Sequence, residues 1–176
     1  MEPREWMKYK QEILQKNELT QLIQQSNEME RRMLKTLSHN EVYDYMISKI
    51  NFCQRKQVIS CVDIGLMIQV GDICFIDYGL AYLWETGYQH FGLVLSIVNG
   101  KAFVVPVSGS SRALSHVKQK EHMMDLGMVP GLNKPSVLYI NDSKWINTAR
   151  IIDVKAHINP NSNLFKRIKQ TVRQMI

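Results

Sequence analysis

The sequence predicts an α+β fold: a small, strongly curved antiparallel sheet with a C-terminal helix, preceded by an N-terminal helical hairpin. Three observations carry this. The first 57 of 176 residues contain no glycine and only Pro3 as a breaker, and their apolar residues recur at helical spacing. Beyond residue 58, short apolar runs are punctuated by Gly, Asn and Pro, which is the pattern of strands and turns. Within that second part, Asn99-Gly100 separates two apolar runs. A type I′ hairpin turn needs positive φ at both central positions, and Asn-Gly meets that need best. The chain therefore divides into a helical extension, 1–57, and a sheet domain, 58–176. At 45% hydrophobic, it has apolar material for one real core.

The elements follow in order. From Glu5 to Leu37 the apolar residues Leu19, Leu22, Ile23, Met29, Met33, Leu34 and Leu37 keep close to a 3.6-residue period. Ser38-His-Asn-Glu41 has the form of a capping box and starts a second helix, with Val42, Tyr45, Met46, Lys49 and Phe52 along one face. Asp72 to Tyr78 reads as a strand, Gly79 to Gln89 as a long loop, Phe91 to Val98 and Lys101 to Ser108 as the hairpin. Pro106 cannot donate to a ladder, which puts its strand at an edge or a bulge there. Further strands are expected at Ser136 to Asn141 and Arg150 to Ala156. Asn159 and Pro160 then cap and open a last helix with Leu164, Ile168 and Val172 on its inner face.

Several function classes are excluded at this level. No apolar run approaches the ~20 residues of a membrane span. The polar N-terminus has no apolar signal core behind it, so a soluble, cytoplasmic protein is expected. Cys53, Cys61 and Cys74 are widely spaced without a CxxC pair, and the five histidines form no HExxH or HxH motif. No metal site, no phosphate loop and no cofactor are expected. Charge is uneven: residues 58–100 hold four acids and no Lys or Arg, whereas residues 101–176 hold 12 Lys plus Arg against four acids. The local surplus favours a polyanionic partner more than the overall charge of +6 does.

Candidate chemistry converges on the mouth of the hairpin. His90 opens the first strand, and Ser108-Gly-Ser-Ser-Arg112 follows the second, so the two should be near neighbours. A turn with Ser108, Ser110 and Ser111 offers N–H groups and hydroxyls to an anion, and Arg112 adds a fork-shaped cation. Tyr82, Trp84 and Tyr88 in the preceding loop offer stacking surfaces for bases. A proton-transferring group, phosphate donors and aromatic platforms are what metal-free RNA cleavage requires. On the residues alone the plainer alternative stays open: a hydrogen-bonded surface histidine beside an ordinary loop.

The ordered motifs Gly71-Asp-Ile-Cys-Phe-Ile-Asp77, Gln89-His-Phe-Gly-Leu-Val-Leu95 and Ala102-Phe-Val-Val-Pro-Val-Ser108 resemble the MazF/PemK family of endoribonuclease toxins. Ser136 to Asn141, Ile146-Asn147 and Ile151-Ile-Asp153 resemble that family's later strands, so the likeness spans about residues 68–176. The resemblance implies a MazF/PemK-type barrel that cleaves single-stranded RNA to 2′,3′-cyclic phosphate and 5′-hydroxyl ends. It places His90 at the family's catalytic arginine and Ser108 at its catalytic Thr or Ser. Asn141 falls where one branch carries an acidic residue, and there it would bind rather than act as a base. Val105 to Ser108 with Ser110, Ser111 and Arg112 is also similar to a related branch with RNA antitoxins. A homodimer and an antitoxin, protein or RNA, are the implied partners.

The function expected is therefore a metal-independent endoribonuclease with His90 as general acid or base, Ser108 as positioner and Arg112 as charge stabiliser. The rival is a non-catalytic module, binding nucleic acid or protein on the same fold, because histidine replaces the family arginine. A third is a protein that poisons a partner enzyme through the same surface.

Overall fold

The computed structural model describes residues 4, 7–10, 12, 19–117 and 120–175. It falls into two compact units, residues 1–43 and 44–176, and the division lies inside a helix rather than at a linker.

In the first unit, α1 (Leu19–Leu34) is an amphipathic helix that buries none of its residues. Most of 5–18, where the first helix was expected to begin, lies outside the described residues. The Ser38 box forms: the Ser38 N–H donates to Glu41 Oε2 (2.8 Å) and the Glu41 N–H to Ser38 Oγ (3.4 Å). Hydrogen bonding from Ser38, side chain first and backbone second, holds the Glu41 carboxyl below its ordinary value. This box starts α2 (His39–Arg55).

The part of α2 in the second unit buries Tyr45 of the expected face but not Met46 or Phe52, and adds Ser48. The reason is Asp77, 2% exposed at the end of β1 (Asp72–Asp77). Ser48 Oγ (2.6 Å) and Asn51 Nδ2 (2.7 Å) both donate to its carboxylate. A buried carboxylate without such donors would be prohibitively costly, so polar residues outbid apolar ones for this face.

The sheet comprises β1, β2 (Gln89–Val98), β3 (Lys101–Ser108), β4 (Met123–Gly127), β5 (Ser136–Tyr139), β6 (Lys144–Asn147) and β7 (Ile151–His157). Its antiparallel order is β4-β5-β3-β2-β1-β7, with β6 also paired to β3. The end strands β4 and β7 do not pair, so the antiparallel sheet expected from sequence is open rather than closed. Both faces are buried. Ile73, Leu93, Leu95, Val105 and Val107 pack with Phe165, Ile168 and Val172 of the C-terminal helix. Cys74, Ile76, Val94, Val104 and Ile151 form the opposite cluster. Burial on both sides is why β2 and β3 read as continuous apolar runs. Burial, ahead of the Asp72 charge, pushes the Cys74 thiol up to about 12, so it packs and does not react.

Pro106 occupies a gap in the ladders. On its outer side β3 pairs with β6 through Lys101–Val104 and with β5 from Val107, and Pro106 falls where neither needs its N–H. The last helix corrects the expected start. Asn159 caps a preceding turn through Asn161, and Ser162 Oγ accepts from the Phe165 N–H to begin α4 (Asn163–Met175). Of the expected inner face, Ile168 and Val172 are buried and Leu164 partly so, with Phe165 added. The short helix α3 (Ser111–His116) and strand β4 were not expected from sequence, whereas β6 contains the Ile146-Asn147 pair that resembles a later strand of the family.

Candidate functional site

The β2–β3 ladder decides which residues meet at its mouth. Counted evenly from the Asn99–Gly100 turn, His90 would oppose Gly109. The register shifts by one between Val94 and Ser96, where Leu95 bulges, and the ladder reaches Phe91 opposite Val107. The next residue on each strand is then His90 opposite Ser108. Opposed residues of an antiparallel pair share a face, so both turn away from the core side taken by Phe91 and Val107.

A cleft of about 590 Å³ opens there. It is lined by His90, Ser108, Ser110, Arg112, Trp84 and Asn141 among the expected residues, with His116, Lys120 and His122 in addition. Tyr82, Tyr88 and Ser111 do not line it. Tyr82 is 86% exposed further along the loop, and Tyr88 closes the loop's neck, its N–H donating to Gly79 O (2.7 Å). Ser111 opens α3 on the solvent side. Ser110 uses its hydroxyl to cap α3, accepting from the Ala113 N–H (3.1 Å). Asn141 sits not on a strand but in the 3₁₀ turn Ile140–Asp142 that follows β5.

The loop before β2 is held rather than free. Asp142 accepts from the Thr86 N–H and pairs with Lys144 Nζ at 2.7 Å, so one carboxylate ties the loop to the β5–β6 turn. Trp84 stands at its tip, 93% exposed and at φ 72°. A bulky residue in the left-handed region is strained, which fits a platform presented outward more than a packing residue. Gly87 is required beside it, since a Cβ there would come within 2.5 Å of the Ala81 Cβ.

His90 is oriented by this loop. Its Nδ1–H donates to the Gly87 carbonyl at 2.6 Å, which leaves Nε2 with the lone pair in the neutral ring. In the imidazolium both nitrogens carry protons, and the bond to Gly87 persists. The ring can therefore gain and lose a proton without losing its anchor. Arg112 and Lys120 have exposed cationic heads with no hydrogen bond or ion pair from those heads among the described residues. Among the described residues, no cluster of three or more His, Cys, Asp or Glu is placed to hold a metal ion.

Tyr78 approaches Gly92 of β2 so closely that a Cβ there would lie 2.3 Å from its hydroxyl. That hydroxyl is buried without a hydrogen-bond partner among the described residues, and burial, ahead of the Asp142 charge, pushes its pKa upward.

No protein-family model and no curated protein sequence matches the chain. In fold, the chain is similar to solved MazF structures. Form I of MazF from Deinococcus radiodurans has 14% identity and a TM-score of 0.49, covering 62% of this chain and 96% of that one. A MazE–MazF structure from the same organism, Form II, gives 14% and 0.45 over the same shares. The toxin MazF-mt6 of Mycobacterium tuberculosis gives 14% and 0.40, covering 60% of this chain and 91% of that one. At such identity and TM-scores the likeness carries nothing about activity, which rests on this chain's own side chains. No described helix is long and apolar enough to cross a membrane.

Three cleft residues escaped sequence reading: His116, Lys120 and His122. The usable signal was Ser110 as a helix cap, which would have put Arg112 and His116 one turn apart on the same face.

Proposed function

We propose that the chain is a metal-independent endoribonuclease acting on single-stranded RNA at the mouth of the β2–β3 hairpin. The observation that carries this is His90: its Nδ1 is anchored on Gly87 O, its Nε2 is unspent, and Ser108 and Arg112 line the same cleft. In the proposed reaction the 2′-oxygen attacks the adjacent phosphorus, with His90 Nε2 taking or giving a proton. Arg112 neutralises the charge that builds on the phosphoryl oxygens, and Ser108 positions the phosphate. Trp84 stacks on a neighbouring base. The products are a 2′,3′-cyclic phosphate and a 5′-hydroxyl.

Product-end analysis on a generic single-stranded RNA in EDTA tests this. Cyclic phosphate ends support it. Tight binding without cleavage would instead make the chain a binding module, and cleavage abolished by EDTA would overturn the mechanism. The partner classes that go with this activity are RNA, an antitoxin and a second copy of the chain. The exposed apolar residues Leu19, Met29 and Met33 of α1 motivate the last of these. A monomer in light scattering at ~10 μM would remove the dimer, whose interface should bury about 1,000 Å² or more.

A further inference from the structure

We propose that His116 is the second proton-transferring residue of this cleft, complementary to His90; the assignment rests on the ribonuclease activity proposed above. Transesterification of RNA needs two proton movements at opposite sides of phosphorus. The 2′-hydroxyl loses a proton as the 2′-O–P bond forms, and the 5′-oxygen gains one as the P–O5′ bond breaks. One imidazole accepts the first proton and the other, starting as imidazolium, donates the second. The charges balance, and the two rings end with exchanged protonation states.

His116 is built for this as His90 is. It stands four residues after Arg112 on α3, so imidazole and guanidinium share a helix face, and both line the cleft. Its Nδ1–H donates to the Arg112 carbonyl at 2.7 Å, with Ser115 Oγ 3.0 Å from the same nitrogen. Nε2 is left for substrate. The cap by Ser110 fixes the helix that carries it. His122 lines the cleft too, but its ring has no orienting hydrogen bond among the described residues. The ionisable groups that share the cleft with His116 are Arg112 on its own helix, Glu85 on the loop, His90 on β2, Lys120 and His122 before β4, Tyr139 at the end of β5, and Asp142 after β5.

The test is the pH dependence of kcat/KM in EDTA for the full chain and for His90→Ala and His116→Ala, on one RNA. The same RNA with sulfur in place of the bridging 5′-oxygen at the cleaved linkage is measured beside it, because a thiolate leaves without a proton. The parent should give a bell-shaped profile. His116→Ala should lose roughly 10²- to 10⁴-fold and one limb of the bell, with unchanged thermal unfolding. One of the two variants should regain near-parental rate on the sulfur substrate while the other stays slow, which identifies the acid. If His116→Ala keeps the parental rate, or loses rate but keeps both limbs, His116 is no proton carrier and His90 stands alone. A parent that cuts neither substrate removes the ribonuclease activity and this assignment together.

Discussion

Residues 44–176 contain two clefts of similar size, about 500 and 590 Å³, and both are lined by arginine. Beside α2, Arg55 Nη1 donates to the carbonyls of Ala149 (3.0 Å) and Ile151 (2.8 Å), and Arg150 Nη1 to those of Asp77 and Tyr78. Asp77 there accepts from Ser48, Asn51 and the Gly79 N–H. At the hairpin mouth the same residue type is left unspent, with Arg112 and Lys120 facing solvent, and His90 and His116 each commit one ring nitrogen to a carbonyl. Volume does not separate the structural cleft from the one proposed to react. What separates them is where the arginines' hydrogen bonds go: into backbone carbonyls of the fold in the first, and to no group among the described residues in the second.

Substitutions can break that comparison. The largest effect is expected at His90. His90→Ala should slow RNA cleavage by roughly 10²- to 10⁴-fold, with RNA affinity and thermal stability nearly unchanged, because Arg112 and the basic C-terminal half supply most of the phosphate attraction. His90→Arg sharpens the point: retained cleavage would make position 90 a charge stabiliser, not a proton carrier. Parental speed in the alanine variant would make His90 as structural as Arg55.

In the other cleft the sign is reversed. Asp77→Ala leaves the buried Ser48 and half-buried Asn51 donors without their acceptor and should cost about 3 kcal/mol in urea unfolding. Cleavage per folded molecule should not change. Loss of cleavage without loss of stability would mean that the α2 cleft is reactive after all.

The smallest expected effect concerns Tyr78, which belongs to neither cleft. Its hydroxyl is desolvated and unpaired, so Tyr78→Phe should raise stability by about 1 kcal/mol. A destabilised variant would show that the hydroxyl has a partner, such as a buried water, and is one of the satisfied groups.

Much of the site was legible because it hangs from a strong local signal. Asn99-Gly100 fixed the hairpin, and the hairpin carried His90 and Ser108 to its mouth. The aromatic residues were only partly legible. Composition put Tyr82, Trp84 and Tyr88 in one loop, but which of them reaches the cleft depends on how the loop is tied. Asp142, 56 residues away from Thr86, ties it.

The sequence by itself determined what depends on a few consecutive residues: the Ser38 box, the type I′ turn and the Ile168–Val172 spacing of the last helix. Each is set by backbone preferences or by side chains within one turn, and these act before distant contacts form. Only the tertiary structure decided the Leu95 bulge, the polar inner face of α2, the open sheet edge and the joining of α3 to the hairpin mouth. Those follow from burial of both sheet faces and from the need to give every buried polar group a partner. Such partners lie anywhere along the chain: Asp77 finds Ser48, 29 residues before it, and Arg55 finds Ile151, 96 residues after. No local pattern encodes distances of that kind.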